Sequence, residues 1–233
     1  AKAHNRRLAV DLAARRTQPP APLSAMDGYA VRRSDIETVP AHLKLIGTSA
    51  AGHGYSGTVG PGQTVRIFTG APLPSGTDTV VIQEDTEGDS QTICMKQSEP
   101  LGRHVRTAGL DFRQGDVLLE KGRRLGPAEL ALAAAMNHAH VDVVRKPCVA
   151  ILATGDELVA PGVEPGPDQI VASNNFAVAA YVKRAGGKVL DLGIAKDNFP
   201  EIEGAIRRAR EAGADILVTL GGASVGDHDL VQT

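Results

Sequence analysis

Acidic side chains follow three apolar segments in the second half of the chain. Asp156 and Glu157 follow the first, Asp197 follows the second, and Asp227 and Asp229 follow the third after a glycine-rich turn. Like charges held together are costly unless a cation or hydrogen-bond donors offset them. Mg²⁺ suits such a place, because it binds few carboxylates and keeps water or phosphate oxygens as its other ligands. We therefore expect a cation site wherever the fold gathers these acids.

The elements around the acids alternate between strand and helix. Apolar runs at 149–153, 189–195 and 216–220 predict strands, and the unbroken run at 216–220 favours a strand covered on both faces. Ser173 or Asn174 caps the first predicted helix, and Asn198 with Glu201 forms a capping box for the second. This alternation of strands and helices predicts a parallel sheet with right-handed crossovers, in which ligands bind at the carboxyl ends of the strands. The acids then share one edge, beside glycine N–H groups and helix N-termini that suit a phosphate.

Familiar nucleotide-binding signatures are missing from this part of the chain. The glycine-rich turn at 221–226 is followed by Asp227 where a P-loop has lysine, and no G-x-G-x-x-G occurs within residues 147–233. A P-loop kinase and a dinucleotide-dependent dehydrogenase are therefore disfavoured.

The first half has another organisation. Short apolar runs broken by Gly and Pro predict a β-rich domain at 22–125. Residues 1–21 predict an extended linker, joined by a helix beginning at Pro127 and a strand at 141–144, both within 126–146. The α/β domain then occupies 147–233. The predicted fold class is thus multidomain, with a truncated parallel α/β domain and a separate β-rich domain.

Three polar corners in the β-rich part carry further candidates. Asp27 lies in an Asp-Gly pair, for which turn chemistry alone is an adequate explanation. Thr69 lies in a loop rich in Pro and Gly, and Arg106 with Asp111 offers a cation and acid pair. Each corner also fits an ordinary surface loop.

Composition limits the class of protein. The 233 residues carry a net charge of −2, which gives no support for nucleic-acid binding. The two cysteines are far apart, which favours free thiols in a reducing compartment, and no membrane span or signal peptide is visible. We expect a soluble cytoplasmic protein. The chain lacks an initiator Met and stops at Thr233 where a covering helix would follow, so we also expect it to be cut at both ends.

Six segments, in order along the chain, resemble the molybdopterin molybdenumtransferases, MoeA and the E domain of gephyrin. Each motif is weak alone, but six in register are specific. The matching segments are Ser24-Ala25-Met26-Asp27-Gly28-Tyr29-Ala30, Arg66-Ile67-Phe68-Thr69-Gly70-Ala71, Arg106 with Gly109 and Asp111, Thr154-Gly155-Asp156-Glu157-Leu158, Asp191-Leu192-Gly193-Ile194 with Asp197, and Gly221-Gly222-Ala223-Ser224-Val225-Gly226-Asp227 with Asp229.

The resemblance implies the last step of molybdenum-cofactor synthesis. Adenylated molybdopterin is hydrolysed with release of AMP while molybdate is placed on the dithiolene, with Mg²⁺ assisting. The implied catalytic residues are Glu157, Asp27, Thr69, Asp197 and Asp229, of which Glu157, Asp197 and Asp229 would also bind the metal. The implied substrate-binding residues are Gly221, Gly222, Ser224, Gly226, Thr154, Gly155, Arg106 and Asp111.

The resemblance also implies a homodimer in which Asp27 and Thr69 face the site of the other subunit, and the adenylyltransferase of the same pathway as a partner. Two departures stand out. The family continues with further domains that are not in these 233 residues, and Ala21-Pro22-Leu23 replaces the more usual aromatic and acid. Two alternatives remain: a scaffold of the gephyrin type, and a molybdopterin adenylyltransferase, which leaves residues 22–125 unexplained.

Overall fold

The computed structural model of the protein describes residues 2–221, which form two compact units. Within the described residues, the first unit, here called the β-rich unit, comprises 2–4 and 8–142, and the second, the α/β unit, comprises 5–7 and 143–221. The three-part division expected from the sequence stays a prediction.

The β-rich unit contains ten strands and one α-helix among its described residues, with short 3₁₀ turns at Arg33–Ile36 and Gln83–Asp85. The bounds are β1 Leu12–Ala13, β2 Leu23–Ser24, β3 Gly28–Val31, β4 Ala41–Ser49, β5 Gln63–Ile67, β6 Thr79–Ile82, β7 Thr86–Gly88, β8 Thr92–Met95, β9 Val105–Arg106, β10 Val117–Leu119 and α1 Pro127–Ala135.

A six-stranded mixed sheet organises this unit, in the order β6-β3-β5-β4-β8-β7. Its neighbours are antiparallel except β4 and β5, which run parallel. Buried apolar side chains form its core, because the strands are rich in β-branched residues that pack well on a pleated surface. The central cluster is Val31, Ile36, Leu43, Val81, Ile93 and Met95, each at most 3% exposed.

Two short antiparallel pairs, β1 with β10 and β2 with β9, complete the unit. Helix α1 begins as predicted at Pro127, and the Glu129 carboxylate accepts a hydrogen bond from the Gly126 N–H at 3.0 Å. The predicted strand at 141–144 is wrong. The Ala9 N–H donates to the Asp142 carbonyl at 2.9 Å and the Val144 N–H to the Arg7 carbonyl at 2.8 Å, but the segment does not continue as a regular strand.

The α/β unit alternates strands and helices as predicted. Its elements are β11 Cys148–Thr154, β12 Leu158–Val159, β13 Ile170–Val171, α2 Asn174–Arg184, β14 Lys188–Ala195, α3 Phe199–Glu211 and β15 Ile216–Leu220. Strand β11 pairs in parallel with β14 on one side and β15 on the other. The short parallel pair β12 and β13 was not predicted.

Burial in this unit is concentrated on β11, whose residues from Val149 to Thr154 are all buried. Helix α3 packs Ile202 and Ala205 against Leu152 and Ala195. The expectation that 216–220 is covered on both faces is wrong: Ile216 is 51% and Leu217 36% exposed. Strand β15 is an edge of the described sheet, and α2 and α3 pack on β11 and β14 instead.

No helix within residues 2–221 has the length and apolarity needed to cross a membrane.

Candidate functional site

A cavity of about 430 Å³ opens in the α/β unit at the carboxyl ends of β11 and β15. Open parallel sheets bind ligands at this end of their strands. The walls come from the ends of β11 and β15, from the β12 and β13 pair, and from the start of α2. The lining residues are Ala153, Thr154, Glu157, Leu158, Ile170, Val171, Ala172, Ser173, Asn174, Asn175, Thr219, Leu220 and Gly221.

Gly221 brings the end of β15 against Thr154. Its φ of +109° is a conformation that glycine alone adopts without strain, and a Cβ there would lie 2.3 Å from the Thr154 carbonyl oxygen. Thr154 is 3% exposed, and its hydroxyl oxygen has no hydrogen-bond partner among the described residues. These two predicted binding residues therefore lie together, with an unused hydroxyl between two strand ends.

Glu157 enters the same cavity from the loop that follows β11. Its side chain lies over Gly155, where a Cβ would come within 2.4 Å of Glu157 Oε2. Glu157 is exposed, and within residues 2–221 its carboxylate forms no hydrogen bond or ion pair. Gly155 does not line the cavity, but its lack of a side chain leaves the space that the carboxylate occupies.

Asp197 lies on the adjacent loop and does not line the cavity. Its backbone N–H donates to Asp156 Oδ1 at 3.4 Å, and the Gly155 N–H donates to the Ala195 carbonyl at 3.1 Å. The loops that carry Glu157 and Asp197 are thus joined at the sheet edge. The Asp197 carboxylate is exposed and, in the described part of the chain, has no partner.

The predicted residues Gly222, Ser224, Gly226 and Asp229 lie outside the described residues. Among residues 2–221, no group of three or more His, Cys, Asp or Glu side chains is arranged to hold a metal ion. Because Asp229 would supply the third carboxylate, the predicted three-acid metal site stays a prediction.

Asn175 is a cavity residue that the sequence patterns did not single out. It lies in the first turn of α2, is 8% exposed, and its Oδ1 accepts no hydrogen bond from the described residues. Ser173 and Asn174 were predicted only as caps, and the Ser173 side chain makes no capping bond. The only sequence feature that could have indicated Asn175 is a group of polar residues at the start of a helix. The same feature is expected of ordinary helix caps, so it does not distinguish a binding residue.

In the β-rich unit, Asp27 and Thr69 form a close pair. Asp27 Oδ1 accepts from both the Thr69 backbone N–H and its hydroxyl, each at 2.7 Å. These two bonds, aided by the positive charge of Arg66, hold the pKa of Asp27 below its ordinary value. Arg66 itself stacks on the rings of Tyr29 and Phe68 at 4.9 and 5.0 Å. The carboxylate is therefore held ionised and fixed in one orientation.

Arg106 and Asp111 do not form the predicted cation and acid pair. Arg106 lies on β9 opposite Leu23, and its side chain makes no ion pair within the described ranges. The backbone N–H of Asp111 donates to the Gln18 carbonyl at 3.0 Å. Strand pairing fixes each residue locally, and both side chains remain exposed.

The cavity offers three kinds of contact to a ligand. The first N–H groups of α2 suit an anion, and the Glu157 carboxylate suits a cation. Leu158, Ile170 and Val171 provide apolar walls that suit a flat ring. A ligand that combines a ring with a phosphate group would use all three.

The β-rich unit with its mixed sheet and the α/β unit with a cavity at its strand ends define a ligand-binding protein of two units. The family model for the MoeA N-terminal region (domains I and II) matches residues 1–137, and that for a probable molybdopterin binding domain matches residues 150–233. The chain belongs to the MoeA family.

Relatives named molybdopterin molybdenumtransferase resemble most of this chain. The Nostoc sp. protein is 42% identical over 213 residues, and the Haemophilus influenzae protein is 38% identical over 232. These matches cover 90% and 99% of this chain but 49% and 57% of the relatives, so the chain spans about half their length.

Solved structures of MoeA proteins also resemble most of this chain. Two structures of the molybdopterin biosynthesis MoeA protein from Pyrococcus horikoshii match with TM-scores of 0.86 and 0.83 at 35% and 28% identity. Each match covers 94% of this chain, and 56% or 59% of the solved chain.

Proposed function

We propose that this protein acts in molybdenum cofactor biosynthesis as a molybdopterin molybdenumtransferase. The reaction places molybdate on adenylated molybdopterin and releases AMP by hydrolysis. The observation that carries the proposal is the cavity at the ends of β11 and β15, which combines Thr154, Glu157 and the start of α2 in a member of the MoeA family. The names of the relatives, all molybdenumtransferases, support it over the two alternatives.

Glu157 and Asp197, with Asp229 from the undescribed part of the chain, would hold Mg²⁺. The two described carboxylates fit the ion, since both are exposed and unpaired within residues 2–221, and Mg²⁺ binds few carboxylates beside phosphate and water oxygens. When bound, Mg²⁺ neutralises negative charge on the phosphate oxygens.

The chain's own groups would bind and orient the nucleotide phosphate. Ser173, Asn174 and Asn175 at the start of α2 line the cavity, and the N–H groups of this first turn carry the positive end of the helix dipole. The close approach of Gly221 to Thr154 brings the two strand ends together at the cavity lining, beside the buried Thr154 hydroxyl, which has no partner among the described residues. We assign Gly222, Ser224 and Gly226 to the same role, with Gly155 making room for the Glu157 carboxylate.

Asp27 would act as an ionised group that accepts a hydrogen bond or proton from the substrate. Thr69 supports this role, because its two bonds to Oδ1 favour the charged form and leave Oδ2 available. Arg106 and Asp111, both exposed, stay weaker candidates for substrate binding. We further propose a cytoplasmic homodimer that receives its substrate from the adenylyltransferase of the same pathway.

The test is release of AMP from adenylated molybdopterin by purified protein with molybdate and Mg²⁺. We expect Glu157→Gln to lower the rate by about 10²-fold or more, because the cation that would neutralise the phosphate charge loses a carboxylate ligand. Since the Glu157 carboxylate has no partner among the described residues, the Glu157→Gln variant should have the same thermal unfolding temperature as the wild type. The matched control is Glu164→Gln, an exposed acid of the same unit that does not line the cavity.

The same incubation separates the alternatives. Molybdate-dependent AMP release supports insertion, whereas pyrophosphate release from ATP and molybdopterin would support the adenylyltransferase. Release of neither product would support the scaffold alternative. Full activity of Glu157→Gln would refute the assignment of this residue.

A further inference from the structure

Two buried polar atoms on the wall of the α/β cavity have no partner in the described structure. Asn175 is 8% exposed and its Oδ1 receives no hydrogen bond, and Thr154 is 3% exposed with an unpaired Oγ1. Both residues line the same cavity of about 430 Å³. Thr154 comes from the end of β11, and Asn175 from the first turn of α2.

Such atoms need an explanation, because buried polar groups in folded proteins nearly always have hydrogen-bond partners. A buried oxygen without a donor destabilises the fold by the desolvation it has suffered. Here the two unpaired oxygens belong to residues that line the same cavity, from the end of β11 and from the start of α2, while the neighbouring Asn174 is exposed to solvent. Their common position indicates that the missing donor belongs to a bound molecule.

The chemistry of Asn175 Oδ1 selects the kind of group it binds. A side-chain amide oxygen only accepts hydrogen bonds, so it repels the oxygens of a phosphate and suits an N–H donor. Leu158, Ile170 and Val171 provide apolar surface near it in the same cavity, where a flat ring packs well. A nitrogen heterocycle, which carries N–H donors on the edge of a flat ring, fits both features.

We propose that Asn175 is a specificity-determining residue, whose Oδ1 accepts a hydrogen bond from a ring or amino N–H of the ligand while Thr154 Oγ1 makes a second contact. The inference rests on the proposed function and adds to it the residue that distinguishes the pterin ring. A site built for a donor rejects analogues without it, because its buried acceptor is then left unpaired.

The experiment measures binding of pterin-6-carboxylate, a stable fluorescent probe, to the purified protein by fluorescence titration. Asn175→Leu, which keeps the size but removes the oxygen, should weaken binding about tenfold. Asn175→Ser, which is smaller, should give a similar loss. The matched control Lys183→Leu, on the same helix but exposed and outside the cavity lining, should bind as the wild type does.

Thermal unfolding without the probe separates ligand recognition from a structural role. Because Oδ1 has no partner in the described structure, Asn175→Leu should leave Tm unchanged or raise it. A lower Tm for both Asn175 variants would show that the amide stabilises the fold, and would overturn the inference.

Equal probe affinity of the wild type and both Asn175 variants would also overturn the inference but leave the proposed function intact. If the wild type itself binds no pterin, the proposed substrate class fails and the inference fails with it.

Discussion

At the scale of single residues, Asp27 is held by one partner, Thr69, through a backbone and a side-chain donor. Both bonds favour the ionised carboxylate, and the charge of Arg66 adds to them. The pair is local to the β-rich unit and links an Asp-Gly turn to the loop after β5. This arrangement explains how a half-exposed acid acquires a pKa below its ordinary value.

Replacing Thr69 by Val tests that explanation. Thr69→Val keeps the backbone N–H but removes the hydroxyl, so the pKa of Asp27 should rise toward its ordinary value. NMR titration of the Asp27 carboxyl carbon measures this shift. Thr77→Val, which removes a hydroxyl bonded to the Pro74 carbonyl in a nearby loop, should leave the titration unchanged. An unchanged Asp27 in Thr69→Val would contradict the assigned cause.

Gly221 makes a second prediction at this scale. Gly221→Ala should destabilise the protein by about 1 to 3 kcal/mol, because the methyl group meets the Thr154 carbonyl and the φ of +109° strains alanine. Urea unfolding measures the loss. Gly213→Ala, at φ +69° with no atom within 4 Å of the added carbon, isolates the conformational cost and should lose less. Equal losses would mean that the contact with Thr154 is unimportant.

At the scale of elements, the two helices of the α/β unit begin differently. Asn198 caps α3 by accepting from the Glu201 N–H at 3.0 Å, and the Glu201 carboxylate accepts from the Lys196 N–H at 2.8 Å. Ser173 precedes α2 without a side-chain bond. One helix start is therefore closed by its own side chains, and the other is open beside the cavity.

This difference predicts unequal effects of removing each cap residue. Asn198→Ala should lower the free energy of unfolding by about 1 kcal/mol, because an N–H of the first turn loses its acceptor. Ser173→Ala should change it little, since no capping bond is lost. Urea unfolding of both variants gives the comparison, and a larger loss in Ser173→Ala would refute it.

Asp215 joins the starts of β15 and β11. Its carboxylate accepts from the Arg145 guanidinium and from the Cys148 N–H, and these contacts lower its pKa from 3.8 to about 2. A carboxylate with a lowered folded-state pKa stabilises the protein above its unfolded pKa, and this contribution is lost as the pH falls through the folded value.

The stability difference between wild type and Asp215→Asn should therefore be constant at neutral pH and shrink between pH 3.8 and about 2. Urea unfolding at a series of pH values measures it. Asp168→Asn, which removes an exposed acid in the same unit with no contact in the described structure, should show no such pH dependence. A difference that persists at pH 2 would contradict the role of this ion pair.

At the scale of the whole molecule, the proposed homodimer has a test that needs no interface coordinates. If Asp27 and Glu157 of one site come from different subunits, mixed dimers of Asp27→Asn and Glu157→Gln contain one intact site. Equal mixing of two inactive variants should then restore about a quarter of wild-type AMP release. Mixtures that stay inactive, despite subunit exchange, would place both residues of a site in one subunit.

Much of the local structure was predictable from the chain. The β-rich character predicted for 22–125 is seen in strands such as Thr79–Ile82, Thr92–Met95 and Val117–Leu119, because each is a short apolar run between turn residues. The start of α1 and the cap of α3 followed from Pro127 and Asn198 in the same way. Glu157, Thr154 and Gly221 were predicted as neighbours because parallel strands end at one edge, and they line one cavity.

Tertiary structure alone decided the rest, because pairing and burial depend on residues distant in the chain. No local pattern indicates that β4 and β5 run parallel inside a mixed sheet, or that β15 leaves Ile216 exposed. Asn175 reads as one more polar residue at a helix start, and only packing buries its oxygen without a partner beside Thr154. The sequence by itself thus determined which chemical groups stand at the strand ends, whereas the packing decided which of them lie within reach of a ligand.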